Sequence, residues 1–210
     1  MAEQATSTVT VTGRGQASGD PDVVIARLGV DAVGESVEVL ATANAALADV
    51  RAALAADGIP DSDLRTADMS LQSWKHRDSE PQQYQARMGL TVTIRDLPAA
   101  GEVVARAIRA AGRWARLDGL EYAVRDRDAL VTAAREAAWA DARAAAEHYA
   151  RLAGCTLGAV AAVRESTDGM HHPIRQFSSR SAAAEPAGLS LAPGSENVDV
   201  AVVVEWVLEP

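Results

Sequence analysis

The run from Ala133 to Ala153 constrains this chain more than any other stretch. Ala133, Ala134, Ala137, Ala138, Ala142, Ala145 and Ala146 recur along it, and alanine has the highest intrinsic helix propensity of any residue. Asp126 or Asp128 opens the helix, and it closes near Ala153, which makes it the longest predicted element. A face of alanines is smooth and shallow. It buries apolar area only by lying close against a sheet or against a second copy of itself. Composition points the same way: 48% of residues are hydrophobic but only 4% are aromatic, so the core is built from small side chains at close approach.

The rest of the chain alternates between strand and helix periods. Ser7 to Thr12 reads Ser-Thr-Val-Thr-Val-Thr, the period-two pattern of a half-buried strand. Gly13-Arg14-Gly15 interrupts it, and these two glycines are expected to mark a β-bulge or a sheet bend. A turn at Ser18–Asp22, holding Pro21, leads to a second strand, Val23 to Val33, expected to pair with the first as an antiparallel hairpin. From Glu35 the spacing becomes three and four, through Val37, Leu40, Asn44, Leu47, Val50 (or Arg51) and Leu54. That is an amphipathic helix, ended by Gly58 and Pro60. Strands are predicted at Leu64–Trp74 and Tyr84–Arg95. Asp96 and Pro98 then start a helix with Val103, Val104, Ala107, Ile108 and Ala111 on one side, closed by Gly112. A strand around Leu120–Val124 precedes the alanine helix, and Thr156–Arg164 follows it.

Ser166 to Ser195 is rich in Ser, Ala, Pro and Gly without periodicity, and a loop of that length is uncommon inside a compact domain. Val198 to Leu208 is apolar enough for the middle of a sheet. The expected fold class is therefore α+β: a mixed, mostly antiparallel sheet with amphipathic helices on one face, one long alanine-rich helix, and an extended arm before the C-terminal strand. The expected organisation is one domain over residues 7–210, in two intimately packed halves at about 7–112 and 113–210, with residues 166–195 as the arm.

Charge excludes some partners. With 20 Lys and Arg against 29 Asp and Glu the net charge is −9, and Lys75 is the single lysine. Nucleic-acid binding draws on basic patches that release counterions, so neither nucleic acid nor an anionic membrane is an expected partner. No 18 consecutive apolar residues occur, so no membrane insertion is expected. The first residues, Met1-Ala2-Glu3-Gln4-Ala5, have neither the basic nor the apolar region of a signal peptide. The expected location is cytoplasmic, or periplasmic or envelope if a leader has been removed.

No residue pattern spells catalysis. Gly13-Arg14-Gly15 lacks the third glycine and the directly following helix of a dinucleotide loop. His76, His148, His171 and His172 have no carboxylate or cysteine at metal-ligand spacing, and no serine sits in a Gly-x-Ser-x-Gly elbow. Asp61/Asp63 and Asp126/Asp128 flank turns, as caps do. No catalytic residue, cofactor or metal is expected. Cys155 cannot form an internal disulfide and is read as a buried structural thiol. Asn44 falls on the apolar face of the first helix, as a buried amide or a residue fixing register at a contact. Trp206 is assigned to the core. Trp139, one position off the alanine stripe, is the first candidate for a subunit contact, with Arg175, Phe177 and Arg180 of the arm beside it.

Five pieces in order resemble the SIMPL-domain family: Val9-Thr10-Val11-Thr12-Gly13-Arg14-Gly15 followed by Asp20-Pro21-Asp22; Leu90-Thr91-Val92-Thr93-Ile94-Arg95-Asp96-Leu97; the helix Ala133 to Gly154; Leu157-Gly158; and Pro193-Gly194-Ser195. The resemblance runs from about Thr8 to Leu208. It implies a protein without established catalytic activity. It further implies bacterial relatives that are mostly envelope or periplasmic, some linked to oxidative stress, some assembled into ring-like or barrel-like homo-oligomers, and an animal member associated with a kinase in inflammatory signalling. The expectation is a non-catalytic, self-assembling scaffold or interaction protein whose partner is itself. The alternative is a small-molecule or peptide-binding module with a groove between helix and sheet.

Overall fold

The computed structural model describes residues 7–75, 77, 81–166 and 194–210. In chain order the elements are β1 (Thr8–Gly19), β2 (Val23–Gly34), α1 (Val39–Ala56), β3 (Leu64–Trp74), β4 (Gln83–Ile94), α2 (Ala100–Ala111), β5 (Ala115–Ala123), α3 (Arg127–Leu152), β6 (Thr156–Ser166) and β7 (Glu196–Glu209). They fall into two compact units, with breaks between Asp20 and Pro21 and between Ala123 and Val124. The class is α+β. The sheet is not one but two, of order β1-β7-β6 and β3-β4-β2-β5. Every described pairing is antiparallel, so the expected mixed sheet is corrected to two antiparallel ones.

The expected β1–β2 hairpin does not form. β2 carries β4 on one edge and β5 on the other, which leaves no free ladder for β1. β1 pairs instead with β7, from Thr8 opposite Val207 to Gly19 opposite Glu196. That register is unbroken through Gly13 and Gly15, so the two glycines are neither a bulge nor an interruption. Their role is close approach. A Cβ on Gly13 would overlap the Ala138 carbonyl oxygen and stand 2.5 Å from the Ala142 nitrogen, and one on Gly15 would overlap the Ala134 carbonyl and the Ala138 nitrogen. The helix backbone rests directly on the strand backbone, which only glycine opposite alanine permits.

This contact explains the alanine stripe. Ala134, Ala138, Ala142, Ala146 and Ala150 are buried at successive spacings of four. Most of the first unit's core is these alanines, Val11, the inward valines of β7 and Trp206. β7 is the middle strand, as its apolar run predicts. Asp126 caps α3, its Oδ1 accepting from the Ala129 nitrogen at 3.0 Å. At the other end Gly154 has φ +71°. There the Cys155 nitrogen donates to the Ala150 carbonyl at 2.9 Å and the Gly154 nitrogen to that of Arg151 at 3.1 Å, a Schellman closure.

In the second unit α1 and α2 lie on one face of the four-stranded sheet, over the inward row Val24, Ala26, Leu28, Val30 and Ala32 of β2 and Ala86, Met88, Leu90, Val92 and Ile94 of β4. α1 is rotated from the expected face. Its buried stripe is Val39, Ala43, Ala46, Val50 and Leu54, with Leu40 and Leu47 only flanking. The alanines win because they let the helix axis approach the sheet. Asn44 is thereby exposed, so the buried-amide reading is corrected. By length and composition alone α1 could cross a membrane (18 residues, hydropathy 1.3); here its stripe is core.

Candidate functional site

Gly29 of β2 and Gly89 of β4 sit opposite one another, on the face of the four-stranded sheet away from the helices. Without side chains they leave a trough across the two central strands. Bulges on both edge strands aim charges into it: the β3 ladder shifts between Thr66 and Met69, and the β2–β5 ladder shifts between Arg27 and Leu28, around Asp118. Arg116 Nη2 reaches from β5 to Asp68 Oδ2 of β3 at 3.2 Å, and its Nε donates to Asp118 Oδ2 at 2.9 Å. A Cβ on Gly89 would collide with the Asp68 carboxylate, and one on Gly29 would meet the guanidinium at 3.2 Å. Partial burial works against the charge on Arg116, and the bonds to Asp68 and Asp118 more than offset it, holding its pKa above the ordinary value. The same face carries Arg87 Nε on Asp31 at 3.0 Å, Gln85 Nε2 on Asp31 at 2.7 Å and Arg27 on Glu121 at 2.6 Å. These are paired charges spanning strands. They fasten the sheet across its strands.

None of the described residues is a buried polar or charged residue, and among them no group of three or more His, Cys, Asp or Glu is placed to hold a metal. Cys155 is half-buried, which corrects the fully buried reading; its Sγ lies 3.7 Å from the Ala153 carbonyl. His148 Nδ1 is 3.3 Å from Arg151 Nη2. An open groove of about 470 Å³ lies beside α1, lined by Thr42, Ala45, Asp49, Gly112, Arg113 and Trp114. The Arg113 guanidinium stands 4.2 Å above the Trp114 ring there.

Exposed apolar side chains also line two sheet edges. On β3, Met69 and Leu71 point to the helix side, opposite buried Met88 and Ala86, yet they are 64% and 46% exposed. On β6, Val160 and Val163 stand opposite buried Trp206 and Val204 and are 43% and 52% exposed. Trp139 borders that second strip. Its ring packs on Trp206 at 5.7 Å between centroids and 52° between planes, and it keeps 37% of its surface. Trp206 is core, as expected.

Of the residues singled out in the sequence, Trp139 and Trp206 come together. Gly13 and Gly15 stand under α3, Pro21 links β1 to β2, and Asn44 is on the solvent side of α1. Arg175, Phe177 and Arg180, the arm to which they belong, and His76, His171 and His172 lie outside the described residues. Sequence reasoning missed Met69, Leu71, Val160, Val163 and the Gly29–Gly89 pair. The alternation in Met69-Ser70-Leu71 was visible, but it marks a strand face without saying whether a helix covers it.

Fold and surface define an α+β protein of two antiparallel sheets, one with a single helix and the other with two on one face, each with an apolar edge that no described element covers. The chain belongs to the SIMPL family: the family's model, described as a protein of unknown function (DUF541), matches residues 9–206. It is 32% identical over 211 residues to the 26 kDa periplasmic immunogenic protein of Brucella melitensis, and equally to the protein of that name from Brucella abortus. Each alignment covers 94% of this chain and 84% of the relative. Both relatives are named periplasmic, which favours the alternative location in the sequence reading and gives no support to the cytoplasmic one.

Proposed function

We propose that the chain is a non-catalytic, self-assembling protein, a homo-oligomeric scaffold or interaction partner, working in the periplasm as its relatives' names indicate for them. One observation carries this reading: the β3 edge, where six regularly paired residues, Met69 to Trp74, bear no charge and where no described element covers Met69 and Leu71 on the helix side. Natural sheets guard such edges with lysine, proline, bulges or a covering element, because an open apolar edge is a template for another strand. Past its bulge between Thr66 and Met69, the β3 edge carries none of these guards as far as Trp74 among the described residues, which supports a role in association. Light scattering on the full chain at micromolar concentration tests it: the expected result is a single species of several subunits, and a sharp monomer peak overturns the reading.

The groove beside α1 favours a second reading, a small-molecule or peptide-binding module. Its volume lies in the range of ligand sites, and Trp114 with its stacked guanidinium offers a recognisable wall. A ligand held there would raise the thermal midpoint and lose that effect in Trp114→Ala. A shift that survives Trp114→Ala counts against this site.

A further inference from the structure

We infer that two copies pair antiparallel through β3, with Leu71 on the two-fold axis, so that two four-stranded sheets become one of eight strands. This rests on the self-assembly reading and names the surface and partner it requires.

Comparing the four sheet edges selects β3. β1 has its inner face closed by α3, with Val11 and Gly13 buried. β5 carries Arg116, Asp118 and Glu121 along its length. β6 has an apolar flank, but its ladder is broken twice, between Leu157 and Val160 and again between Val160 and Ala162, and such irregularities spoil an edge for pairing. Among the described residues only β3 combines an open edge, an unbroken register from Met69 to Trp74 and an exposed apolar row.

Symmetry then fixes the geometry. A two-fold axis perpendicular to the sheet keeps the helix side of one copy on the helix side of the other. Residues opposite one another must therefore share a face, which puts a residue, not a peptide bond, on the axis. With Leu71 there, it faces its own counterpart and Met69 faces Ser73. The two Met69 and two Leu71 side chains form one apolar row on the helix side, while Ser70 and Gln72 face each other on the outer side.

Charge favours the same arrangement. Each molecule carries −9, so copies repel one another, yet no charge lies between Met69 and Trp74. The stretch is bounded by Asp68 at one end and Lys75 at the other. Antiparallel pairing brings the acidic end of one strand to the basic end of its partner; parallel pairing would set like against like. Arg116 further holds the Asp68 carboxylate on the outer face at 3.2 Å, away from the apolar row.

The test uses Leu71→Lys and Leu71→Glu in the full chain, alone and mixed, by light scattering with circular dichroism as the fold check. Each variant alone sets like charges face to face on the axis, and the particle mass is expected to fall about two-fold. An equimolar mixture sets Lys against Glu and is expected to restore the wild-type mass. A variant that keeps the wild-type mass, or a mixture that does not recover it, overturns the inference while leaving assembly standing. A monomeric wild type defeats assembly itself. If either charged variant fails to fold, Leu71→Cys in a Cys155→Ser background decides: directly opposed residues have Cβ atoms about 4.5–5.5 Å apart, within reach of a short bis-maleimide cross-linker, which should give a covalent dimer. Absence of that dimer overturns the inference.

Discussion

Gly13→Ala tests the helix-on-strand contact that organises the first unit. The added methyl would stand 2.5 Å from the Ala142 nitrogen and overlap the Ala138 carbonyl, against an ordinary contact beginning at 3.4 Å. Relief from the nitrogen alone needs 3.4 − 2.5 = 0.9 Å of separation, and the obstructing atoms are helix backbone and the Ala142 Cβ, which has no rotamer to yield. No rotamer change can supply it, so α3 must lift from β1. A gap of about 0.5–1 Å forfeits a quarter to a half of the dispersion well for each atom pair that separates, along a stripe that includes Ala134, Ala138, Ala142 and Ala146. Overpacking costs about 1–3 kcal/mol and occasionally more. Without a yielding side chain the expected cost is about 3 kcal/mol, reduced by less than about 1 kcal/mol because alanine restricts the unfolded chain. Urea unfolding followed by tryptophan fluorescence measures it as a fall in midpoint. Gly194→Ala is the control, since a Cβ there meets nothing within 4 Å, and it should be neutral or slightly stabilising. A Gly13→Ala protein within about 0.5 kcal/mol of wild type, the range of an ordinary surface substitution, would refute the close-approach argument.

Asn44→Ala should change stability by no more than about 0.5 kcal/mol, because the side chain faces solvent and alanine is the better helix former; a loss above about 1 kcal/mol in urea unfolding, the cost of a forfeited buried hydrogen bond, would restore the buried-amide reading. Trp206→Ala should cost about 3–5 kcal/mol, since the ring is 3% exposed and supports Trp139, and a smaller loss would mean the unit collapses onto the vacancy. Arg135 donates to Glu165 at 2.9 and 3.1 Å, and that hydrogen bond holds the Glu165 carboxyl below its ordinary value. The pair's contribution is therefore present above the unfolded-state pKa and lost as pH falls through the lower folded-state one. Stability curves of wild type and Glu165→Gln should differ near neutral pH and converge well below pH 4.5; a difference that grows on acidification would reverse the sign.

Local structure was legible where the pattern is local. Asp126 and Gly154 bracket α3 because a cap and a positive φ are decided within a few residues. β3 and β7 stand where their alternation put them, give or take a residue or two at the ends of β7. Partnering was not legible. Thr8–Gly19 alternates the same way whether it meets β2 across a short turn or β7 across most of the chain, and only the occupancy of both β2 edges decides it. The face of α1 was misjudged for a related reason. Reading by size favours Leu40, Asn44 and Leu47, but close packing on a sheet rewards Ala43 and Ala46, whose small side chains bring the helix nearer. Gly13, Gly15, Gly29 and Gly89 look alike in sequence. Two make room for a helix backbone and two for an ion pair crossing between strands.

The open edges follow from how much sheet a helix can cover. A helix is about 10 Å across and neighbouring strands are about 4.8 Å apart, so one helix shields roughly two strands. In the first unit a single helix meets three strands, and Gly13 and Gly15 draw α3 toward β1, which leaves the far strand, β6, with Val160 and Val163 bare. In the second unit two helices meet four strands. α1 settles on β2 and β4 and α2 on β5 and β2, so one strand is shared and neither helix covers β3. The alanine-rich contacts that let these helices sit close also keep them narrow. A core poor in aromatic residues therefore leaves a strand over at one side of each sheet, and the apolar residues on that strand are available to a partner.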